Sequence, residues 1–237
     1  MNNTSYTLSE LCICAASEAW RDDGEVLATG IGLIPRLAAS LAKMTHSPVL
    51  MMTDGEAYLV SEPVPVGPRG SYKPKIEGSM DYSRVFLNLW NGHRHAMTGP
   101  VQIDKYGQTN ISFIGENHLS PKAQLLGARG FPGNTINHKN SMFFPNHNTR
   151  CFVTDEVDMV SGVGYNRSKW IEGMNSEFID LGLLISNLAV MDFNGPDNKI
   201  QVISLHPGVD IQQVTENTGF ELLCDNFTVT PFPTDEQ

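Results

Sequence analysis

The fold is decided by residues 25–56, which read E-V-L-A-T-G-I-G-L-I-P-R-L-A-A-S-L-A-K-M-T-H-S-P-V-L-M-M-T-D-G-E. Glu25–Thr29 predicts a short strand, Gly30-Ile31-Gly32 a turn, and Ile34–Met44 an amphipathic helix. The apolar run Val49–Thr53 then predicts a buried strand of a parallel sheet. Strand, helix and strand in this order form a βαβ unit, so the segment indicates an α/β fold.

Composition and charge narrow the class of protein. The chain has 237 residues, 41% of them hydrophobic, which suits one large α/β domain or two small ones. Because no stretch has the composition of a linker, we expect a single domain over residues 1–237. The 16 basic and 26 acidic residues give a net charge of −10, which argues against a nucleic-acid binder. Charged residues make up only 18%, so we expect a partner to cover part of the surface.

The location is predicted from what the sequence lacks. No apolar run approaches the roughly 18 residues of a membrane span. The first residues, Met1–Ser5, show neither the charged nor the apolar region of a secretory signal. Four scattered cysteines are too few for a disulfide scaffold. These features predict a cytoplasmic protein.

Elsewhere the chain carries ordinary signals of secondary structure. Thr7 and Glu10 have capping-box spacing and predict a helix start at Thr7. Ser61–Gly78, rich in proline and glycine, predicts a long loop of the kind that serves a function or contacts a partner. The remaining predicted elements are a helix over Asp81–Leu89, a hairpin over Val101–Ser112, strands over Arg150–Val153, Leu183–Phe193, Ile200–Leu205 and Phe220–Cys224, and a helix after Asp210.

Two neighbouring segments offer candidate sites in the first half. Gly30-x-Gly32 opens a helix as a dinucleotide fingerprint does, but Pro35 follows where a third glycine is expected. A tight strand-to-helix turn, or a turn whose amides face an anion, explains the glycines equally well. Asp54 and Glu56 follow the predicted buried strand, where open α/β sheets bind ligands, so either carboxylate is a candidate nucleophile or base. A solvated strand end is the alternative.

The second half adds a glycine-rich segment over residues 127–134. Its backbone N–H groups and the Arg129 guanidinium could stabilise an oxyanion or hold a phosphate, although an ordinary loop would have the same composition. His93 and His95 would share one face of a strand, but no third ligand is identifiable, so no metal site is predicted.

Five short motifs, in order along the chain, resemble the β subunit of the class I coenzyme A transferases. They are Gly30-x-Gly32 with Pro35, Thr53-Asp54-Gly55-Glu56, Gly99-Pro100-Val101-Gln102-Ile103-Asp104, Gly127-Ala128-Arg129-Gly130, and Pro207-Gly208-Val209 with Thr218-Gly219. This resemblance implies a coenzyme A transferase-like α/β fold with a single open, mainly parallel sheet flanked by helices.

Longer strings resemble one branch of this family, the β subunit of the steroid ring-opening acyl-CoA hydrolases of bacterial cholesterol and bile-acid degradation. They are 19–25 (A-W-R-D-D-G-E), 53–57 (T-D-G-E-A), 102–107 (Q-I-D-K-Y-G), 129–135 (R-G-F-P-G-N-T) and 160–165 (V-S-G-V-G-Y). The resemblance implies hydrolysis of a ring C–C bond in a bicyclic CoA thioester. It implies an α/β hetero-oligomer, expected to be α2β2, whose main carboxylate lies on the α subunit, and no cofactor besides the thioester substrate.

A departure from the transferase pattern separates the two activities. A transferase needs a glutamate that attacks the thioester, and Asp54 stands at that position with one methylene less. A misplacement of about 1 Å can cost on the order of 100-fold in rate. Glu56 lies across a glycine and would point elsewhere. The hydrolase is therefore favoured. The alternatives are a true CoA transferase of the glutaconate or 3-oxoacid type, with Asp54 or Glu56 as nucleophile, and a subunit that only binds CoA.

The resemblance and the motifs together define the predicted site. Asp54 and Glu56 are the candidate catalytic residues of this chain. The predicted contacts to substrate or coenzyme A are Gly30, Gly32, Gln102, Gly127, Arg129, Gly130, Gly133 and Asn134.

Overall fold

The computed structural model describes residues 6–55 and 57–237, which divide into two compact units. The first unit consists of the described residues of Met1–Thr98 together with Phe232–Gln237. The second unit is Gly99–Pro231. The expectation of a single domain stays a prediction. Within the described ranges, no helix is both long enough and apolar enough to cross a membrane.

The first unit begins with α1, Leu8–Ser17, capped as predicted at Thr7. The Thr7 hydroxyl oxygen accepts a hydrogen bond from the Glu10 N–H at 3.3 Å, and the Glu10 carboxylate accepts one from the Thr7 N–H at 2.6 Å. This reciprocal pair satisfies two of the N–H groups that a helix start leaves open. Strand β1, Leu27–Gly30, and helix α2, Leu33–Met44, follow.

The predicted strand over Val49–Thr53 is wrong. Only one residue of it, Met51, makes a parallel bridge, to Leu27 of β1. Residue 50 is still in a turn, because its N–H donates to the Ser47 carbonyl at 3.1 Å. Thr53 already bridges the following strand in the antiparallel sense. The apolar run therefore packs beside β1 and leads to Asp54 near the end of β1, but it does not form a further strand of the sheet.

The rest of the first unit is a hairpin, a helix and a strand. Strands β2, Tyr58–Val60, and β3, Ile76–Ser79, pair antiparallel, so the last three residues of the predicted loop, 76–78, belong to a strand. Helix α3, Tyr82–Trp90, starts where predicted, with the Asp81 carboxylate accepting from the Arg84 N–H at 2.9 Å. Strand β4, Arg94–Thr98, pairs parallel with β1.

The second unit opens with small antiparallel pairs. The predicted hairpin is confirmed as β5, Gln102–Ile103, with β6, Thr109–Asn110. Strand β7, Phe113–Ile114, pairs with β8, Ala123–Gln124. The glycine-rich segment contains one short helix, α4, Phe131–Asn134.

A mixed sheet completes the second unit. Its strands are β9, Lys139–Phe144, β10, Leu181–Ser186, β11, Ala189–Asp192, β12, Gln201–Leu205, and β13, Thr228–Val229. The β9–β10 and β12–β13 pairs are parallel, and β10–β11 and β11–β12 are antiparallel. Between β12 and β13, helix α5, Ile211–Glu216, starts after Asp210 as predicted.

Three predictions in this unit were wrong. The strand expected over 183–193 is two strands, because the Ser186 hydroxyl oxygen accepts from the N–H groups of Leu188 and Ala189 and folds the chain back. Segments 150–153 and 220–224 make single bridges, through Phe152 and Leu223, instead of strands.

Each unit has its own core. In the second unit it includes Phe144, Phe152, Leu184 and Met191, all essentially inaccessible to solvent. In the first unit the buried Trp20 donates its indole N–H to the His95 carbonyl at 3.2 Å. Two separately packed cores give the site-bearing loops of each unit a fixed base.

Candidate functional site

The two glycines of the Gly30–Gly32 turn have structural reasons of their own. A Cβ on Gly30 would lie 2.3 Å from the backbone of Pro35, so only glycine allows α2 to start this close to β1. Gly32 has φ +115°, in the region that favours glycine, and its carbonyl accepts from the Arg36 N–H at 3.1 Å. A tight strand-to-helix turn is therefore sufficient to explain both residues, and their contact with a ligand stays a prediction.

Asp54 lies directly after the segment that bridges β1 and is almost completely buried, with 4% of its surface exposed. Its carboxylate accepts from the Tyr58 N–H at 3.3 Å and lies 3.9 Å from a guanidinium nitrogen of Arg69. Arg69 also donates to the Asp54 backbone carbonyl. The side chain is thus held by contacts within its own unit and is shielded from solvent.

Glu56, the second candidate carboxylate, lies outside the described residues.

Gln102 is buried in β5 and its side chain is engaged within the second unit. Its carbonyl oxygen accepts from the Asn110 side-chain amide at 2.7 Å and from the Asp158 N–H at 3.1 Å. Asn110 in turn accepts from the Ser112 N–H at 2.8 Å. Gln102 therefore joins the hairpin to the segment around residue 158, and this arrangement suits a positioning role.

The glycine-rich segment exposes backbone amides around a strained residue. Arg129 has φ +51° and is exposed, and Gly127 has φ +83°. Within the described chain, the N–H groups of Arg129 and Gly130 donate no hydrogen bond. No heavy atom lies within 4 Å of where a Gly130 Cβ would be. Two amides without an internal acceptor thus lie beside an open position at Gly130, as an anion site requires, and the exposed Arg129 belongs to the same segment.

The end of this segment is fastened to the body of the unit. Gly133 and Asn134 are in α4, and the Asn134 carbonyl accepts from the Asn140 side-chain amide at 3.1 Å. The Thr135 hydroxyl accepts from the Val163 N–H at 2.9 Å. The open side of the segment is thereby held on a rigid support.

Residues 160–165 pack against the support of the glycine-rich segment, and two glycines make this packing possible. A Cβ on Gly162 would lie 2.3 Å from the Thr109 hydroxyl and 2.7 Å from the Phe131 ring. A Cβ on Gly164 would lie 2.4 Å from the Gln108 nitrogen. Both glycines are required for the segment to pack between the β5–β6 hairpin and α4.

Asp104, in the turn of the hairpin, is a buried carboxyl that stands within one of the five motifs but was not predicted as a site residue. Burial raises its pKa to about 6, opposed by hydrogen bonds from the N–H groups of Tyr106 and Gln108. Glu156 raises the pKa further by charge repulsion. The available signal was the position of Asp104 at the end of the motif over residues 99–104. The sequence did not show that its carboxyl is buried.

The predicted residues thus fall into two groups. Gly30, Gly32 and Asp54 belong to the first unit, and Gln102 and the glycine-rich segment belong to the second. Arg36 and Arg69, which lie beside Asp54 and Gly55, were missed because neither lies within one of the five motifs. Among the residues that the structure describes, no three His, Cys, Asp or Glu side chains are grouped to hold a metal.

No family model matches the chain. A solved glutaconate coenzyme A-transferase from Acidaminococcus fermentans superposes with a TM-score of 0.76 at 21% identity, over 97% of this chain and 92% of that chain. This likeness confirms the predicted fold class, an open, mainly parallel sheet flanked by helices. The chain is therefore a coenzyme A transferase-fold protein.

Closer relatives define the branch. The crystal structure of Rhodococcus jostii RHA1 IpdAB superposes with a TM-score of 0.88 at 40% identity, over 98% of this chain and 92% of that chain. The curated cholesterol ring-cleaving hydrolase IpdB subunit of Rhodococcus jostii is 41% identical over 236 residues, 99% of this chain and 90% of its own length. The chain belongs to this family of IpdB subunits. The B component of the 3-oxoadipate CoA-transferase of Pseudomonas knackmussii is 29% identical, over 98% of this chain and 90% of its own length.

Proposed function

We propose that the chain is the β subunit of a hydrolase that opens a ring of a cholesterol-derived acyl-CoA and works with an α subunit, expected as α2β2. The observation that carries the proposal is the full-length likeness to the cholesterol ring-cleaving hydrolase IpdB subunit. The IpdAB structure supports the need for a second subunit, as its name joins an A and a B component. We keep the prediction that the enzyme acts in the cytoplasm.

The proposed reaction is hydrolysis of a C–C bond next to a ring ketone. A carboxylate of the α subunit activates a water molecule, whose oxygen bonds to the ketone carbon. The adjacent ring C–C bond breaks, and its electron pair stays on the carbon beside the thioester as an enolate. That carbon then takes up a proton, so one water is consumed and coenzyme A stays attached. No cofactor beyond the thioester substrate is required.

The enolate or the coenzyme A phosphates need donors that are already in place. We assign this role to the free N–H groups of Arg129 and Gly130 and to the Arg129 guanidinium, with Gly127 and Gly133 allowing close approach. The unoccupied space beside Gly130 supports this assignment, because a ligand could approach the backbone there without displacing a side chain.

Other predicted residues receive supporting roles. Gln102 holds the hairpin in register through its two hydrogen bonds, and Asn134 offers a polar contact beside the segment. Asp54 orients the Arg69 guanidinium, which lies 3.9 Å from its carboxylate. Gly30 and Gly32 are assigned to the approach of coenzyme A, where their missing side chains leave the backbone accessible.

The α subunit is proposed to cover the exposed face of α3, formed by Tyr82, Phe86 and Trp90. Their rings follow one another with centroids 6.2 and 5.9 Å apart, and Tyr82 and Trp90 are 83% and 65% exposed. Aromatic side chains in contiguous exposed patches are typical of surfaces that bind another subunit. The low share of charged residues agrees with such a covered surface.

The alternative is a true CoA transferase, supported distantly by the 3-oxoadipate CoA-transferase relative. It requires a carboxylate of this chain to attack the thioester. Asp54 is shielded from solvent and carries the shorter side chain, which disfavours this role. Under the transferase hypothesis, Asp54→Glu would raise CoA transfer and Asp54→Asn would abolish it, whereas the hydrolase proposal predicts a lower ring-opening rate for both.

The deciding experiment uses the chain purified together with its α subunit. The complex is given a bicyclic steroid-derived CoA thioester in ¹⁸O-water, with and without acetate, and the products are weighed. The proposal predicts a ring-opened product that carries one ¹⁸O atom and retains coenzyme A. Acetyl-CoA without a labelled ring-opened product would overturn it in favour of the transferase.

A further inference from the structure

Two arginine side chains converge on Gly55 in the first unit. Arg36 lies in the first turn of α2, and Arg69 lies in the loop between β2 and β3. A Cβ on Gly55 would be 3.7 Å from Nη1 of Arg36 and 3.5 Å from Nη2 of Arg69. Both guanidinium groups therefore border the same position, which the glycine leaves empty and exposed.

The two arginines differ in their partners. Arg69 donates to the Asp54 carbonyl and lies 3.9 Å from the Asp54 carboxylate. The guanidinium of Arg36 makes no hydrogen bond and no ion pair with any residue that the structure describes, although Arg36 is half-buried. A partly desolvated guanidinium beside a second one is unfavourable unless an anion joins them.

We propose that Arg36 and Arg69 bind a carboxylate at Gly55. The planar guanidinium presents paired donors that match the two oxygens of a carboxylate. A carboxylate group brings a single negative charge to this position, and Gly55 is exposed, so a second carboxylate of the same molecule can stay in solvent. A phosphate monoester would concentrate about −1.5 to −2 charges on one group beside the buried Asp54.

The site extends the proposed function. It rests on that function only for the identity of the molecule that carries the carboxylate. In the assembled enzyme that molecule is a substrate or product acid. Gly55 is essential to the arrangement, because any side chain there would occupy the space between the two guanidinium groups. Its φ of +96° also favours glycine.

Titration calorimetry of the assembled enzyme with glutarate tests the proposal. The wild type is expected to bind glutarate, and Arg36→Gln and Arg69→Gln each to weaken binding at least about tenfold, equivalent to about 1.4 kcal/mol. Arg36→Lys keeps the charge but loses the paired donors, so its affinity for glutarate is expected to lie between those of the wild type and Arg36→Gln. Arg150→Gln, at an exposed arginine of the second unit, is the matched control and should bind like the wild type.

Three results would overturn the proposal. They are no glutarate binding by the wild type up to about 10 mM, unchanged affinity in the soluble, assembled Arg36→Lys and Arg36→Gln enzymes, and tighter binding of inorganic phosphate than of glutarate. Glutarate binding needs no turnover, so an enzyme that binds it at these arginines but does not open the steroid ring refutes only the proposed function.

Discussion

The imidazole of His147 lies face to face on the ring of Phe152, with centroids 3.7 Å apart and 5° between the ring planes. Its Nδ1 is 2.9 Å from the Ser186 hydroxyl and its Nε2 2.9 Å from the Thr218 hydroxyl. The Thr218 hydroxyl donates to the Val214 carbonyl, so Nε2 donates to Thr218 and Nδ1 accepts from Ser186. The neutral ring thus satisfies both of its nitrogens inside the core.

The contribution of His147 to stability is expected to be lost as the pH falls from about 6.5 to 4, whereas Asp104 acts in the opposite sense between pH 6 and 3.8. Burial lowers the pKa of His147 from 6.5 to about 4. In this range the unfolded chain takes up a proton at His147 and the folded protein does not, so the contribution of His147 to the free energy of unfolding falls by about 3 kcal/mol once pH 4 is passed. Urea unfolding at several pH values measures the change. The wild type should lose stability relative to His147→Gln over this range, while His118→Gln, at an exposed histidine, should follow the wild type.

Asp104→Asn is expected to stabilise the protein at pH 7. The folded pKa is raised to about 6, so the stability that the protonated carboxyl gives below pH 3.8 is lost as the pH rises to 6. The asparagine oxygen can still accept from Tyr106 and Gln108, and removes a buried charge. A gain of about 1 to 3 kcal/mol is expected in urea unfolding at pH 7. Asp155→Asn, an exposed carboxyl, is the control; an equal gain there would contradict the explanation.

Gly130→Ala separates folding from ligand approach. A Cβ on Gly130 meets no atom within 4 Å, so the stability should change by no more than about 0.5 kcal/mol. The methyl group would fill the space beside the free amides, and ring-opening turnover should drop at least about tenfold. Gly164→Ala, whose Cβ would lie 2.4 Å from the Gln108 nitrogen, should instead fail to fold normally. Full turnover by Gly130→Ala would remove this segment from the site.

The aromatic face of α3 is tested by Tyr82→Ser, Phe86→Ser and Trp90→Ser combined. Because all three rings are exposed, the chain should fold, while affinity for the α subunit should fall at least about tenfold, measured by light scattering over a dilution series. The exposed apolar residues Leu119 and Ile171, changed together to serine, are the control. Equal weakening by the control pair would mean that α3 has no special part in assembly.

Local signals predicted the starts of elements well. The Thr7 cap, the Asp81 cap and the hairpin around residue 105 are set by residues within four positions of one another, and the structure has them as predicted. Strand β9 was missed because it is buried on both faces after its first residue and shows no alternation. Val49–Thr53 was wrongly predicted as a strand because an apolar run does not reveal whether its backbone pairs with another strand.

The candidate site was predictable only as a set of motifs. The order of the five motifs identified the family, because glycines and acidic residues keep their place when the turns they form are kept. The pairing of Arg36 with Arg69 could not be found in this way, since 33 residues separate them and only the β2–β3 hairpin brings them to Gly55. The hydrogen bond from the Asp158 N–H to the Gln102 side chain was hidden for the same reason, since 56 residues separate the two.

The β10–β11–β12 meander has a consequence for the order of folding. Its strands are neighbours in sequence, joined by short turns, so little chain entropy is lost in closing them. The β1–β4 pair joins Leu27 to Arg94 and must close a loop of more than sixty residues. During synthesis the long-range pair of the first unit is made from chain that leaves the ribosome earlier, yet the meander closes faster once it emerges. The meander can therefore pair as soon as its last strand is released, whereas the β1–β4 pair depends on the time that continuing synthesis gives it.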